Sequence, residues 1–220
     1  MSRDFIRDSK NVIFIFILYS FYAVGILGHA IESTFPHMMT LTPVVLFVFG
    51  LAVLLRTTGF DHRLLLWCLS AYVFTFMVEA LGVHTGAIFG EYDYGRTLGI
   101  KLLQVPLVIG FNWVLVVLGA IALSRKISRH PIYSALLAAI FTATFDVPLE
   151  IVAVNLDYWQ WTGGSVPFQN YVAWFTVAFL VALSFNRLKL KTKDNIIVHY
   201  FFVQLIFFIL IDLMIYANMI

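Results

Sequence analysis

Glu79-Ala-Leu-Gly-Val-His84-Thr-Gly86-Ala-Ile-Phe-Gly90-Glu91-Tyr92-Asp93-Tyr94-Gly95-Arg96 begins inside an apolar run and ends in a loop of glycine, carboxylates and tyrosine. The run it closes is long enough to cross a bilayer, whose hydrocarbon core of roughly 30 Å takes about 20 helical residues. A carboxylate inside such a span costs roughly 2.5–3.5 kcal/mol on insertion scales, which makes Glu79 a functional position before anything else. The whole chain supports the membrane reading. Of its 220 residues 61% are apolar and 12% charged, and the mean hydropathy is +0.92. That leaves too little polar surface to coat a water-soluble domain.

Working outward from this stretch, windows of about 19 residues give seven candidate spans. They cover residues 11–31, 40–56, 64–82, 101–124, 132–154, 168–186 and 195–217. The expected fold is an all-α polytopic membrane bundle, with residues 1–220 forming a single integral membrane domain. The first span follows Arg3, Arg7 and Lys10, and its apolar core exceeds that of a signal peptide, so it reads as retained. Alternating the connections from one side to the other puts twelve of the fourteen Lys and Arg residues with the N-terminus, and only Arg96 and Lys101 opposite. By the positive-inside rule the N-terminus is cytoplasmic and the C-terminus outside, in a multi-pass protein of the cell inner membrane. Lone Cys68 excludes an internal disulfide. The basic residues lie in interhelical loops and form no stripe for nucleic acid. A retinal protein would carry a lysine in its last helix, and residues 195–217 contain none.

The acids are distributed the other way. Asp4, Asp8, Asp61 and Asp194 fall on the inner side, whereas Glu32, Glu79, Glu91, Asp93, Asp146, Glu150, Asp157 and Asp212 fall in the outer half. At about 1.5 Å per residue, Glu79, Asp146, Glu150 and Asp212 reach one layer about 20–26 Å above the inner helix ends. A shared depth predicts a common polar cavity. Lys101, Gln104, Val108 and Asn112 fall at i, i+3, i+7 and i+11, one face of the fourth helix, expected to point to the bundle interior. Pro148, between Asp146 and Glu150, weakens the helix where a cavity would tolerate it. An internal repeat accompanies the layer. Glu79 with Val83 matches Glu150 with Val154; Asp93-Tyr94 matches Asp157-Tyr158; and Val105-Pro106 matches Val166-Pro167, each pair followed by a tryptophan, Trp113 or Trp174. The third and fourth helices then form one helix-loop-helix unit and the fifth and sixth its parallel copy.

Carboxyl groups in apolar surroundings suit proton transfer, a protonated member acting as acid and an ionised one as base. Tyr92, Tyr94, Trp113, Tyr158, Trp159 and Trp161 surround the layer, and aromatic faces stabilise a nearby cation. Acid, aromatic cage and apolar cavity together fit protonation of an isolated alkene and capture of the carbocation. The same aromatics also suit an interfacial belt. His29, Glu32, His37 and His84 match no strong metal pattern and read as helix-end polar groups, so no metal is expected. Gly86, Gly90 and Gly95 read as turn residues, since no P-loop or dinucleotide fingerprint is present. No Asp-rich cluster for a diphosphate appears either.

Glu79-Ala-Leu-Gly-Val-His-Thr-Gly, Phe89-Gly-Glu-Tyr-Asp-Tyr-Gly, Val105-Pro-Leu-Val-Ile-Gly with Asn112-Trp113, Asp146-Val-Pro-Leu-Glu150, Asp157-Tyr-Trp-Gln-Trp161 and Val166-Pro-Phe-Gln-Asn-Tyr make this chain resemble the carotenoid-biosynthesis membrane proteins of the bisanhydrobacterioruberin hydratase and γ-carotene 1′-hydratase type. The motifs run from the third span to the sixth; the first, second and seventh are similar by hydropathy only. The resemblance implies a carotenoid 1,2-hydratase, a cofactor-independent hydro-lyase. It adds water across the terminal C1′–C2′ double bond of an acyclic end group and leaves a tertiary alcohol. Its partners would be a carotenoid substrate, the lipid bilayer and other carotenoid-pathway enzymes. The residue roles come from the chemistry above. Asp146 or Glu150, then Glu79, is the expected proton donor. Glu91, Asp93 and Tyr94 are expected to admit and orient water, and Lys101 and Arg96 to tune ionisation. Gln104, Asn112, Trp113, Asp157, Tyr158, Trp159 and Trp161 are expected to complete the substrate and water site. The alternatives are a lycopene-type cyclase using the same protonation, and a non-catalytic carotenoid-binding or transport protein.

Overall fold

The structure, a computed structural model, describes residues 3–193 and 195–220, with side chains from residue 10 onward. Asp194 and the side chains of Arg3, Asp4, Arg7 and Asp8, which contribute to the charge asymmetry, lie outside the described residues. Seven helices follow in order: α1 (Arg3–Ala30), α2 (Phe35–Thr58), α3 (His62–Thr85), α4 (Leu107–Ile127), α5 (Pro131–Asn155), α6 (Phe168–Arg187) and α7 (Ile196–Tyr216). All seven are long and apolar enough to cross a membrane, and each carries one of the expected spans. Their ends follow local chemistry. Asp61 caps α3 by accepting the backbone N–H groups of Arg63 and Leu64 at 2.8 and 3.3 Å. Gly59 and Gly86 end α2 and α3 in the left-handed conformation, φ 55° and 64°.

α4 is the central helix and touches α2, α3, α5, α6 and α7. Its glycines set the close approaches: Gly110 faces Tyr72 and Phe76 of α3, and Gly119 faces Phe201 of α7. Small residues at crossings let helices pack where no water drives them together. α5 and α6 form the most extensive pair, and Ala138, Ala139, Ala178 and Ala182 are wholly buried along them. The perimeter is apolar, with Val12, Phe16, Val24 and Leu27 of α1 exposed. α5 continues through Pro148, although that residue has no N–H to return to the carbonyl of Thr144.

The fourth helix starts later than its hydropathy predicts. Residues 101–106 form a hairpin, β2 (Lys101–Leu102) against β3 (Val105–Pro106), and α4 begins at Leu107. Leu103 and Gln104, both at positive φ (50° and 64°), make its two-residue turn, the geometry that matches strand twist in a hairpin. Pro106 then serves as the cap residue of α4. The expected face of Lys101, Gln104, Val108 and Asn112 is therefore broken: the first two lie outside the helix and are exposed. Two further strands, β1 (Tyr92–Tyr94) and β4 (Trp159–Trp161), come from the α3–α4 and α5–α6 connections and pair antiparallel.

Candidate functional site

Three carboxyl groups share one enclosed cavity. Glu79 projects from α3, Asp146 and Glu150 from α5, and all three are at most 3% exposed. Asp146 and Glu150 lie one helical turn apart and so share a face. The ribbon of β1 and β4 roofs them. In a strand, residues i and i+2 point the same way, so each aromatic-x-aromatic triplet presents two donors to one side. The hydroxyls of Tyr92 and Tyr94 both donate to Glu79 Oε1. The indole N–H groups of Trp159 and Trp161 both donate to Glu150 Oε2, at 2.9 Å each. Burial and the neighbouring Glu79 push the Tyr92 and Tyr94 hydroxyls well above the usual tyrosine range, which keeps them as O–H donors.

Asn170 of α6 joins the two acids of α5. Its Nδ2 donates to Asp146 Oδ2 at 3.0 Å and to Glu150 Oε1 at 2.8 Å. Glu150 therefore accepts three N–H groups on its two oxygens. Asp146 accepts one, and its Oδ1 has no bond to a described residue. Glu79 Oε2 is buried without a partner among the described residues. The cavity between them measures about 30 Å³, enough for a water molecule. Its apolar wall includes Ile109, Trp113, Val116, Phe145, Leu149 and Trp174. Trp113 and Trp174 stack at 3.5 Å between ring centroids, and Phe89 stacks on Trp174 at 4.7 Å. Gly82 leaves the space on α3 that Phe89 fills.

Of the sequence-derived site residues, Glu79, Tyr94, Asn112, Trp113, Asp146, Glu150, Trp159 and Trp161 line this cavity. Asn112 is tied away from the acids, exchanging two 3.0 Å amide hydrogen bonds with Gln204 of α7. The remaining candidates lie elsewhere. Asp93 is exposed on the far face of β1, as strand alternation requires, and Glu91 is exposed beside it. Lys101 Nζ donates to the Tyr94 carbonyl at 2.6 Å, and exposed Gln104 turns the hairpin. Asp157 accepts the Arg96 backbone N–H at 3.1 Å, and Tyr158 lines a different cavity. Asp212 is half-buried and does not line the acid cavity. His29 and His84 each hold a carbonyl one turn back on their own helices, at 2.7 and 2.8 Å. Tyr92, Asn170 and Trp174 enter the site unassigned by the sequence-derived roles, although Tyr92 stood in the aromatic set, Asn170 in a quoted motif and Trp174 in the repeat.

The repeat reappears in the site. Glu79 with its Tyr92–Tyr94 strand matches Glu150 with its Trp159–Trp161 strand, and the two strands pair antiparallel. Pro106 and Pro167 are the cap residues of α4 and α6, and Trp113 and Trp174, seven residues beyond them, stack on one another. The helix pairs are not equivalent in the same way: α4 and α5 pack extensively whereas α3 and α6 barely touch, so the likeness is confined to the strands, the proline caps and the two tryptophans.

Fold and site together define a class: a helical bundle with membrane-length helices around one enclosed acid–aromatic chamber. The chain belongs to the family described as carotenoid biosynthesis protein, whose model matches residues 34–220. It is similar to the bisanhydrobacterioruberin hydratase of Haloarcula japonica, 30% identical in an alignment 143 residues long that covers 57% of this chain and 46% of that protein. The chain thus spans about half the length of the curated relative it matches. No solved structure matches it. The family match takes in α2 and α7 as well as the stretch from α3 to α6 that carries the motifs.

Proposed function

We propose that this protein hydrates the terminal C1′–C2′ double bond of an acyclic carotenoid end group. One observation supports the reading: three buried carboxyl groups line a water-sized cavity, and among the described residues neither Asp146 Oδ1 nor Glu79 Oε2 accepts a hydrogen bond. Asp146, with the fewest donors, holds the transferable proton. It gives that proton to C2′, and the positive charge develops at the more substituted C1′, where Trp113 and Trp161 of the cavity wall stabilise it. Water in the cavity attacks C1′, and Glu79 or Glu150 takes the proton that the attacking water loses. Return of that proton to Asp146 closes the cycle, so the net change is alkene plus water to tertiary alcohol. No redox step occurs and no cofactor is needed.

The setting belongs to the same proposal. The described residues act as one integral domain of a cell inner membrane, N-terminus cytoplasmic and C-terminus outside, with the acid chamber toward the outer face. The polyene lies along apolar helix faces open to lipid, where other carotenoid-pathway enzymes also work. Expression in membranes that accumulate lycopene or γ-carotene, followed by mass spectrometry of the pigments, tests the reaction. Gain of the mass of one water is the expected result. An altered absorption spectrum at unchanged mass makes the protein a cyclase, and unaltered pigment across several acyclic substrates makes it a carrier.

A further inference from the structure

A second cavity, of about 240 Å³, lies among α1, α2 and α7. Its lining is almost wholly apolar, and its mouth residues Phe21, Val24 and Leu41 are exposed on the perimeter, so it opens toward lipid. Tyr22, Thr42, Tyr158 and Gln204 add polar groups to that lining, the Tyr22 hydroxyl among them buried without a partner among the described residues, and His29 adds its imidazole. His29 is 3% exposed, and its Nδ1 sits 2.7 Å from the carbonyl of Gly25. A carbonyl only accepts, so Nδ1 carries the hydrogen and Nε2 carries the lone pair. That Nε2 is buried and has no hydrogen-bond partner among the described residues. A buried acceptor left unpaired costs about 1–3 kcal/mol, and the hydroxylic ligand that removes the cost must be apolar everywhere else to suit the walls. The lining holds no acid to attract a cation and no second metal ligand beside His29. Gln204 also lines this cavity, and its paired amide partner Asn112 lines the acid chamber. One amide pair therefore joins the two cavities.

We infer that the cavity at His29 binds the hydroxyl-bearing end of a long isoprenoid, with the ligand O–H donating to Nε2. The inference deepens the hydratase proposal, since a hydroxyl-terminated isoprenoid is what that reaction produces, and the site then holds product-class molecules beside the chamber.

The probe is geranyllinalool, a tertiary isoprenoid alcohol, compared with its methyl ether, which keeps the chain and removes the donor. Binding to the full chain in lipid nanodiscs is measured by calorimetry. The wild type is expected to bind the alcohol about tenfold more tightly than the ether, the scale of one hydrogen bond to a buried acceptor. His29→Phe should remove that preference, and His29→Gln, which restores an acceptor, should recover part of it. Gly25→Val guards against a folding artefact: a side chain there meets only Phe207, at 3.6 Å, so it fills the cavity and should weaken alcohol and ether alike. Asp146→Asn must keep the preference, because it disables the chamber and not this site. Loss of the preference in Asp146→Asn with retention in His29→Phe would place the alcohol in the acid chamber and overturn the inference. Equal binding of alcohol and ether by the wild type would leave Nε2 to water and overturn it as well. None of these readouts depends on turnover, so the hydratase proposal stands or falls separately.

Discussion

Glu150 accepts N–H groups from Trp159, Trp161 and Asn170, whereas Asp146 accepts only from Asn170. Replacing each by its amide therefore has different consequences. In Asp146→Asn the amide can turn its carbonyl toward Asn170, so the bond survives and only the transferable proton is lost. Conversion should fall by about 10²–10⁴-fold, the range for a lost general acid, with membrane levels of the protein unchanged. In Glu150→Gln the new NH2 meets donors, and each buried group left unpaired costs about 1–3 kcal/mol. That variant should lose thermal stability together with activity. Glu79→Gln should also be inactive. Full pigment conversion by both Asp146→Asn and Glu79→Gln would discard the acid mechanism. The three carboxyls were legible from sequence because charge inside an apolar run has so few harmless explanations. Asn170 was not, because a neutral amide at a helix start signals nothing until its partners are known. Asp212 misled for a physical reason: depth along a helix follows from counting, but the few polar residues of α7, His199, Gln204 and Asp212, fall on different faces, so its rotation cannot be read.

Among the elements, β1 and β4 do the most for the site, and the sequence hid them as strands three residues long. Each triplet looked like an interfacial aromatic belt, and only their mutual pairing turns four aromatic side chains onto two carboxylates. The start of α4 was misread because a hairpin of Lys101, Leu102, Val105 and Pro106 around a turn at 103–104 is as apolar as a helix. Gln104 tells the two conformations apart. In a helix interior, Gln104→Gly would cost about 1 kcal/mol. In the observed turn Gln104 sits at φ 64°, a region that strains any residue with a Cβ and suits glycine. Gln104→Gly should therefore raise the unfolding temperature of the detergent-solubilised protein, by up to about 1 kcal/mol of stability. Hydration should be unaffected, because Gln104 does not line the chamber. A lower unfolding temperature would favour the longer helix.

At the scale of the whole molecule, hydropathy located all seven helices because a lipid-facing helix must be apolar over its full length, which leaves boundaries as the main uncertainty. Which end faces the cytoplasm rests on charge alone, and twelve of fourteen basic residues on one side is a strong bias. The natural cysteine gives a clean test, since Cys68 is the only one and is buried. In a Cys68→Ala background, Gly163→Cys puts a thiol in the α5–α6 connection, where nothing lies within 4 Å of the added side chain. Arg129→Cys puts one at an exposed site in the α4–α5 connection. A membrane-impermeant maleimide applied to intact cells should label the first and reach the second only after lysis. The opposite pattern would invert the bundle and turn the acid chamber toward the cytoplasm. Labelling of both before lysis would mean that α5 does not cross. Because the β1–β4 roof lies in the same connections as Gly163, the result also decides from which side water enters the chamber: the expected pattern brings it from outside, past Tyr92 and Tyr94, to the two free carboxyl oxygens.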